Sequence, residues 1–277
     1  MKVLVFGAAG MLGQAMLKEL RGTQHTALAV DLDDADITKL AQVRELLSTT
    51  QPDAVINCAA YTNVDGAESE PERAYAVNGL GARNIAVCSD EVGAHLLHVS
   101  TDYVFDGETQ EPYGSIYGKS KRLGEWSVQR FCRRFAIIRT AWLFGAGGGN
   151  FINAILKRAR AGKPLKIVND QIGSPTYAPH LAHCLRQICD KEALGIFHAT
   201  GQGHCSWFDL GRKALELTGL DVSVEAITTA TLKLPAPRPA FSVLENLHLT
   251  LEAIAPLPAW QEGVEAYLGE IGIPSKS

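Results

Sequence analysis

The run K-V-L-V-F-G-A-A-G-M-L-G at residues 2–13 joins an apolar stretch to three regularly spaced glycines. Its first part predicts a buried strand, and the apolar residues at 15–17 and 20 predict one face of a helix. We expect Gly7 to allow a sharp turn, Gly10 to let a pyrophosphate approach the backbone, and Gly13 to permit close packing of helix on strand. The N–H groups at the start of that helix would bind phosphates. A plain tight turn is the alternative.

The rest of the chain repeats this alternation of strand and helix. Apolar runs predict strands near residues 26–30, 54–60, 95–100, 136–138 and 196–199, with helical patterns between them. The alternation predicts an α/β fold with a doubly wound, Rossmann-like parallel sheet. The glycine run at 145–149 marks a change in composition and a crossing to a smaller C-terminal lobe. We expect a dinucleotide-binding domain at 1–148, with 177–199 returning to it, and a substrate-binding lobe at 149–176 and 200–277.

Composition excludes several classes of protein. The 277 residues are 46 % hydrophobic and 20 % charged, an ordinary globular balance. The net charge of -4, without a basic run, argues against nucleic-acid binding. No apolar stretch approaches the ~18 residues of a membrane span, and a strand beginning at residue 2 leaves no room for a signal peptide. Six scattered cysteines without a C-x-x-C pair are typical of reduced thiols, so a cytoplasmic protein is expected.

Polar residues follow the predicted strand at 95–100. Thr101 and Asp102 would lie at its C-terminal end, where open α/β sheets bind ligands. Tyr117 and Lys121 are one helical turn apart and would share a face of the next helix. The lysine cation would lower the pKa of the phenol from its usual ~10. We therefore expect an acid or base, with Thr101 holding the same substrate oxygen, although an exposed helix start is the alternative.

Several further residues point to a dinucleotide. Asp31 ends the second strand, about 20 residues beyond the glycines, where a carboxylate can bind the adenosine ribose. No arginine follows it, which favours NADH weakly. Asp36 is either an adenine contact or an ordinary loop carboxylate. Thr38 is a candidate cap for the next helix. Asn78, inside a helical segment predicted from about Glu72 to Glu91, either braces the site or is simply exposed.

The motifs together resemble known families. The glycine spacing, Thr101 and Tyr117-x-x-x-Lys121 resemble the extended short-chain dehydrogenase/reductase superfamily. Six further motifs resemble the dTDP-4-dehydrorhamnose reductase family: A-Y-T-x-V-D-x-A-E at 60–68, S-T-D-Y-V-F-x-G at 100–107, Y-G-K at 117–119, R-T-x-W at 139–142, D-Q-x-G-x-P-T at 170–176 and R-P-x-x-S-x-L at 238–244. These matches cover nearly the whole chain.

The resemblance implies reduction of the C4 ketone of dTDP-4-dehydro-L-rhamnose to dTDP-L-rhamnose by NADPH or NADH. Tyr117 would protonate the developing alkoxide, Lys121 would hold the nicotinamide ribose, and Thr101 would bond the same oxygen. The implied cofactor residues are Gly7, Gly10, Met11, Leu12, Gly13, Asp31, Asp36, Ile37, Ala59, Ala60, Tyr61, Tyr117, Lys121 and Thr140. The implied sugar-site residues are Thr62, Val64, Asp102, Val104 and Trp142, with Arg238 at the diphosphate.

The resemblance leaves assembly and metal dependence open. Some members of the family dimerise through a Mg²⁺ ion held by glutamates, so the expected protein is a monomer or a homodimer. No metal ligands can be assigned from this sequence. His180, His183 and Cys184 have poor spacing for zinc, and an ordinary helix surface is the better interpretation.

Three alternatives remain from the sequence. A nucleotide-sugar dehydratase would carry a glutamate after Asp102, but Tyr103 stands there, which favours simple reduction. A nucleotide-binding regulatory subunit, like the reductase-like partner of methionine adenosyltransferase, is disfavoured by the intact Thr101, Tyr117 and Lys121. A reductase of a different 4-keto nucleotide sugar also fits the motifs.

Overall fold

The computed structural model describes residues 1–105 and 114–273. Gly107 of the strand-end motif and the last four residues of the expected substrate lobe lie outside the described residues. The strands are β1 (Lys2–Phe6), β2 (Thr26–Val30), β3 (Ala54–Asn57), β4 (His95–Thr101), β5 (Phe135–Thr140), β6 (Leu143–Phe144), β7 (Leu165–Val168), β8 (Ile172–Gly173), β9 (Thr176–Tyr177), β10 (Gly195–His198), β11 (Cys205–Ser206) and β12 (Val224–Ile227).

The central sheet has the order β10-β5-β4-β3-β1-β2, and each neighbouring pair is parallel. The order reverses between β1 and β3, because the chain goes out to β2 and then returns to the other side of β1. Phe6 pairs with both Val30 and Asn57, so the residues that follow these strands emerge side by side. Open α/β sheets bind ligands at such a reversal. The predicted fold class is confirmed.

Helices cover both faces of this sheet. They are α1 (Met11–Leu20), α2 (Leu40–Thr50), α3 (Val64–Ser69), α4 (Pro71–Tyr75), α5 (Ala82–Glu91), α6 (Ile116–Phe131), α7 (Phe151–Arg160), α8 (Ala178–Asp190), α9 (Trp207–Thr218), α10 (Thr229–Leu232), α11 (Leu247–Leu251) and α12 (Trp260–Glu270). Buried side chains of α1 and α8 pack on one face of the sheet. Those of α2, α5 and α6 pack on the other. The near-continuous burial of β1, β3 and β4 is typical of a parallel sheet covered on both sides.

The helical segment predicted at 72–91 differs in detail from a single α-helix. It begins at Pro71, and a π-helical segment at Ala76–Gly81 separates α4 from α5. Asn78 lies in this segment and is 1 % exposed. Its Oδ1 accepts a hydrogen bond from the backbone N–H of Tyr61, and its Nδ2 donates to the backbone oxygen of Tyr61 and to Ser120. Of the two interpretations that the sequence left open for Asn78, the structure favours the bracing of the loop at Tyr61 over simple exposure.

The C-terminal half builds a second core beside the sheet. Buried side chains of α7, α9 and α12 pack together there with Phe144 and Tyr177. Ser206 and Asp209 form a reciprocal capping box at the start of α9. Thr38 does not cap α2, because the cap position is Lys39 and the Thr38 hydroxyl donates to Asp36 instead. Within residues 1–105 and 114–273, no helix has the length and low charge that a membrane crossing requires.

Candidate active site

A cavity of about 760 Å³ lies at the point where the strand order reverses. Most of the residues predicted for the site line it. They are Gly7, Gly10, Met11, Leu12, Gly13, Asp31, Asp36, Ile37, Ala59, Ala60, Thr62, Thr101, Asp102, Tyr117, Lys121, Thr140 and Trp142. Tyr61, Val64, Val104 and Arg238 lie outside this lining. The fold thus brings the glycine turn and the tyrosine–lysine pair to one cavity.

The glycine turn has the geometry that a bound pyrophosphate requires. Gly7 has φ +71, and a Cβ there would lie 2.7 Å from the backbone nitrogen of Ala59. A Cβ on Gly13 would overlap the carbonyl oxygen of Gly7, so α1 can pack on β1 only with glycine at this position. Gly10 caps the start of α1, and a Cβ there would meet only the Gly7 oxygen, at 3.2 Å. Its remaining surroundings are therefore open to a phosphate.

Asp31 supports this turn directly. Its Oδ2 accepts a hydrogen bond of 2.7 Å from the backbone N–H of Ala9, and its Oδ1 accepts one from Leu32. The carboxylate therefore braces the turn, a contact that the sequence did not predict. Asp36 accepts hydrogen bonds from the backbone and hydroxyl groups of Thr38, and that hydroxyl lowers the pKa of Asp36.

Tyr117 lies in the first turn of α6, which the Ser115 side chain caps. Burial raises the pKa of its phenol to about 12, the Thr101 hydroxyl lowers it in part, and the negative charge of Asp102 raises it further. The direction is opposite to the one predicted from the lysine one turn away. Desolvation is the largest cause, because a phenolate in this cavity would lose its hydration, and Lys121 is not among the groups that shift this pKa. Tyr117 is therefore protonated at neutral pH.

Lys121 is 2 % exposed, and its ammonium donates a hydrogen bond of 2.7 Å to the backbone oxygen of Val99. Burial lowers the pKa of Lys121 to about 8, while the negative charge of Glu125 and the nearby Cys58 act to raise it. Lys121 is therefore still charged at neutral pH, although its pKa is much lower than that of an exposed lysine.

Glu125 lies one further turn along α6 and is fully buried. It accepts two hydrogen bonds from Arg139, of 2.8 and 2.7 Å, and one from Arg122. Burial alone would raise the pKa of Glu125, but Arg139 and Arg122, with a contribution from Ser100, hold it below its usual value. This fixed negative charge explains why Lys121 remains a cation despite its burial.

Thr101 and Asp102 form a linked pair at the end of β4. The Thr101 hydroxyl donates to Asp102 Oδ1 at 2.9 Å and accepts from the backbone N–H of Tyr103. Burial raises the pKa of Asp102 to about 6, while the hydroxyls of Ser242 and Thr101 oppose that rise. Thr140, beside Thr101 in the sheet, has a buried hydroxyl without a hydrogen-bond partner in the described part of the chain. That hydroxyl is available to a ligand in the cavity.

The predicted sugar-site residues fall into two groups. Thr62, Asp102 and Trp142 line the cavity. Val104 is buried behind it, and Val64 begins α3. Arg238 donates to Asp65 Oδ2 at 2.9 Å, and the backbone N–H of Ala236 donates to the other oxygen of the same carboxylate. Asp65 therefore ties the proline-rich segment 235–239 to α3.

Sequence reasoning missed part of the lining. Cys58, Val77, Val99, Ser100 and Gly147–Gly149 also line the cavity. Gly147 to Gly149 had been interpreted only as a crossing between lobes. A second indole, Trp207, stacks on Trp142, with the ring centroids 3.6 Å apart and the planes 7° apart. No sequence pattern pointed to Trp207.

The donor set of the cavity fits a dinucleotide rather than a metal ion. An open glycine turn, the helix N-terminus and the unpaired Thr140 hydroxyl suit phosphate and ribose groups. Across the described ranges, no three histidine, cysteine, aspartate or glutamate side chains group as metal ligands. His183 bonds to Glu19, and Cys184 is buried in the core, so these two do not face a common site.

Comparison with known proteins shows the family. The family model described as RmlD substrate binding domain matches residues 1–273. Spore coat polysaccharide biosynthesis protein SpsK of Bacillus subtilis is 39 % identical over 97 % of each chain. A dTDP-4-dehydrorhamnose reductase of Mycolicibacterium smegmatis is 38 % identical over 95 % of this chain and 84 % of its own.

The solved structures agree with the sequence relatives. The crystal structure of dTDP-4-dehydrorhamnose reductase from Bacillus anthracis in complex with NADP has a TM-score of 0.94 and 35 % identity, over 97 % of this chain and 99 % of that one. The resemblance inferred from the motifs is confirmed. The chain belongs to the dTDP-4-dehydrorhamnose reductase family.

Proposed function

We propose that this enzyme reduces the C4 ketone of dTDP-4-dehydro-L-rhamnose to dTDP-L-rhamnose with NADPH or NADH. The observation that carries the proposal is that Thr101, Tyr117 and Lys121 share one cavity with the glycine turn. A proton donor and a dinucleotide site are thereby adjacent, as reduction of a ketone requires. Family membership supports the same reaction.

When bound, the reduced nicotinamide supplies a hydride to the C4 carbon of the sugar. Gly10 and the start of α1 would bind the pyrophosphate, and Thr140 would donate its unpaired hydroxyl to the cofactor. Asp31 would accept from the adenosine ribose while it continues to hold Ala9. The NADP complex of the Bacillus anthracis relative supports a nicotinamide dinucleotide here.

Tyr117 would supply the proton. As the C4 carbon gains hydride, its oxygen becomes an alkoxide, and the Tyr117 hydroxyl transfers its proton to that oxygen. The raised pKa favours this direction, because the phenol enters the reaction fully protonated. The Thr101 hydroxyl donates its one proton to Asp102 in this structure, and it would turn that proton to the reacting oxygen when the ketone binds.

Lys121 would act through its charge and its remaining donors. One N–H is committed to Val99, which leaves two for the nicotinamide ribose. The cation would also stabilise the phenolate that Tyr117 becomes once it has given up its proton. The negative charge of Glu125 raises the pKa of Lys121 and so favours its charged form.

The substrate would extend from Thr62 and Asp102 toward Trp142, and Val64 and Val104 would support that wall from behind. Arg238 would bind the diphosphate, with Asp65 setting the guanidinium in place. We propose that residues 1–148 and 177–199 carry the cofactor and that 149–176 and 200–277 carry the substrate. The separate C-terminal core supports this division. The free state of all six cysteines supports a cytoplasmic location.

Oxidation of NADPH and NADH with a panel of 4-keto nucleotide sugars tests the proposal. We expect the fastest turnover with dTDP-4-dehydro-L-rhamnose and no turnover without a sugar. Asp31→Asn keeps the shape of the side chain, and it should weaken the binding of NADH more than that of NADPH in a titration. If the enzyme binds NADPH or NADH but oxidises neither with any sugar in the panel, that result would contradict the proposed reaction.

A further inference from the structure

We propose that Trp207 is a positioning residue, which fixes the Trp142 ring as one wall of the substrate side of the cavity. The inference rests on the proposed function, because it assumes that Trp142 contacts the sugar. Trp142 lines the cavity and Trp207 does not. Any effect of Trp207 on the substrate must therefore pass through Trp142.

The two indoles are stacked almost in parallel, with centroids 3.6 Å apart and planes 7° apart. Trp207 is itself held in three ways. Its Nε1–H donates to Gln171 Oε1 at 3.0 Å, its backbone follows the capping box of Ser206, and the Phe151 ring lies 4.8 Å away on another side. Gln171 is buried and donates in turn to the Thr229 hydroxyl at 2.9 Å. Trp207 is thus anchored to residues of the proposed substrate lobe.

Gly173 completes the support for Trp142. A Cβ on Gly173 would overlap the indole of Trp142, so this position in β8 must be glycine for the ring to lie where it does. Gln171 and Gly173 belong to the same D-Q-x-G-x-P-T motif, for which the sequence alone suggested no mechanism. One residue of the motif fixes the stacking partner, and the other makes room for the ring.

The backbone of Trp142 explains why such support is needed. Its φ is +48, in the left-handed region that residues with a side chain rarely adopt. Such a conformation persists only when the surroundings enforce it. The Trp207 stack and the contact with Gly173 hold the ring on this strained backbone. The Trp142 ring then contacts the sugar as a flat apolar wall that is already ordered, so its ordering adds no cost to binding.

The test uses four single variants, one of them a control, and one double variant of the enzyme. Trp207→Leu should raise the KM for the nucleotide sugar about tenfold and leave the Kd for NADPH within about twofold. Trp207→Phe, which keeps a flat ring, should recover most of that loss. Trp142→Leu should raise the KM at least as much. The double variant Trp142→Leu/Trp207→Leu should match Trp142→Leu alone if Trp207 acts on the substrate through Trp142.

Trp126→Leu is the matched control. Trp126 is 57 % exposed on α6 and away from the stack, so its loss should change neither constant. Circular dichroism in the aromatic region gives a readout without substrate: the signal of coupled indoles should vanish in Trp142→Leu and Trp207→Leu and persist in Trp126→Leu. Three results would overturn the inference. The fold-changes in KM of the two single variants could multiply in the double variant, the KM could be unchanged in Trp207→Leu, or the wild type could lack the coupled signal. Turnover by the wild type tests the proposed function separately.

Discussion

Removing the buried ammonium of Lys121 should stabilise the protein while it abolishes most of the activity. The pKa of this lysine falls from its usual 10.5 to about 8 in the folded protein. Each unit of pKa corresponds to about 1.4 kcal/mol, so the difference of about 2.5 means that the charge destabilises the folded state by about 3 kcal/mol at neutral pH. Lys121→Met removes this penalty and loses the hydrogen bond to Val99, which contributes about 1 kcal/mol. A net gain of about 2 kcal/mol follows.

The gain in stability from Lys121→Met should depend on pH. Above pH 8 the folded wild type releases this proton, whereas the unfolded chain keeps it up to about 10.5. Because the unfolded state then binds more protons, the stability of the wild type rises with pH. The advantage of Lys121→Met should therefore be constant below pH 8, and should shrink by up to about 1.4 kcal/mol for each pH unit above it.

Urea denaturation followed by far-ultraviolet circular dichroism, at pH values on both sides of 8, measures this difference. Lys119→Met is the matched control, since Lys119 is exposed two residues earlier on α6. It should change stability by less than about 0.5 kcal/mol. A destabilised Lys121→Met at neutral pH, or an advantage that stays the same above pH 8, would refute the reasoning.

Three other substitutions test the site and its frame. Tyr117→Phe should lower kcat by about 10²-fold or more with the Kd for NADPH unchanged, and normal turnover would exclude Tyr117 as the acid. Gly13→Ala forces a methyl group into the glycine turn and should abolish NADPH binding. The control Gly269→Ala lies in a helix with open space around it and should still bind NADPH. Titration calorimetry measures the binding of both variants. Glu125→Gln weakens a buried ion pair and should cost about 3 kcal/mol or more in urea denaturation. Glu91→Gln, at an exposed pair, should cost less than about 1 kcal/mol.

Local signals predicted much of the fold. The strand β2 has the bounds that the sequence indicated, and β4 ends one residue beyond them, because apolar runs and flanking turn residues are short-range features. The carboxyl ends of neighbouring parallel strands meet at one edge, so the convergence of Thr101 with the glycine turn followed from topology alone.

The remaining differences arise from three-dimensional packing. The pKa of Tyr117 depends on how completely the phenol is desolvated, which a spacing of four residues does not reveal. Asp31 bonds to Ala9 because two strand ends lie side by side, and Trp207 meets Trp142 because β11 pairs with β8. Helical periodicity also gave no sign that one turn between α4 and α5 is wider than the rest.

That wide turn has a consequence for how the enzyme can change over evolutionary time. A π-helical turn holds about one more residue than an α-helical turn, whereas one extra residue in a regular α-helix would rotate the residues that follow by about 100°. An inserted residue can therefore be absorbed at 76–81 without rotating α5 against the sheet. Asn78 lies within this wide turn, and its side-chain amide holds the loop at Tyr61. Loss of the insertion would leave a regular helix with its sheet-facing side intact, but without an anchor for the loop that borders the cavity.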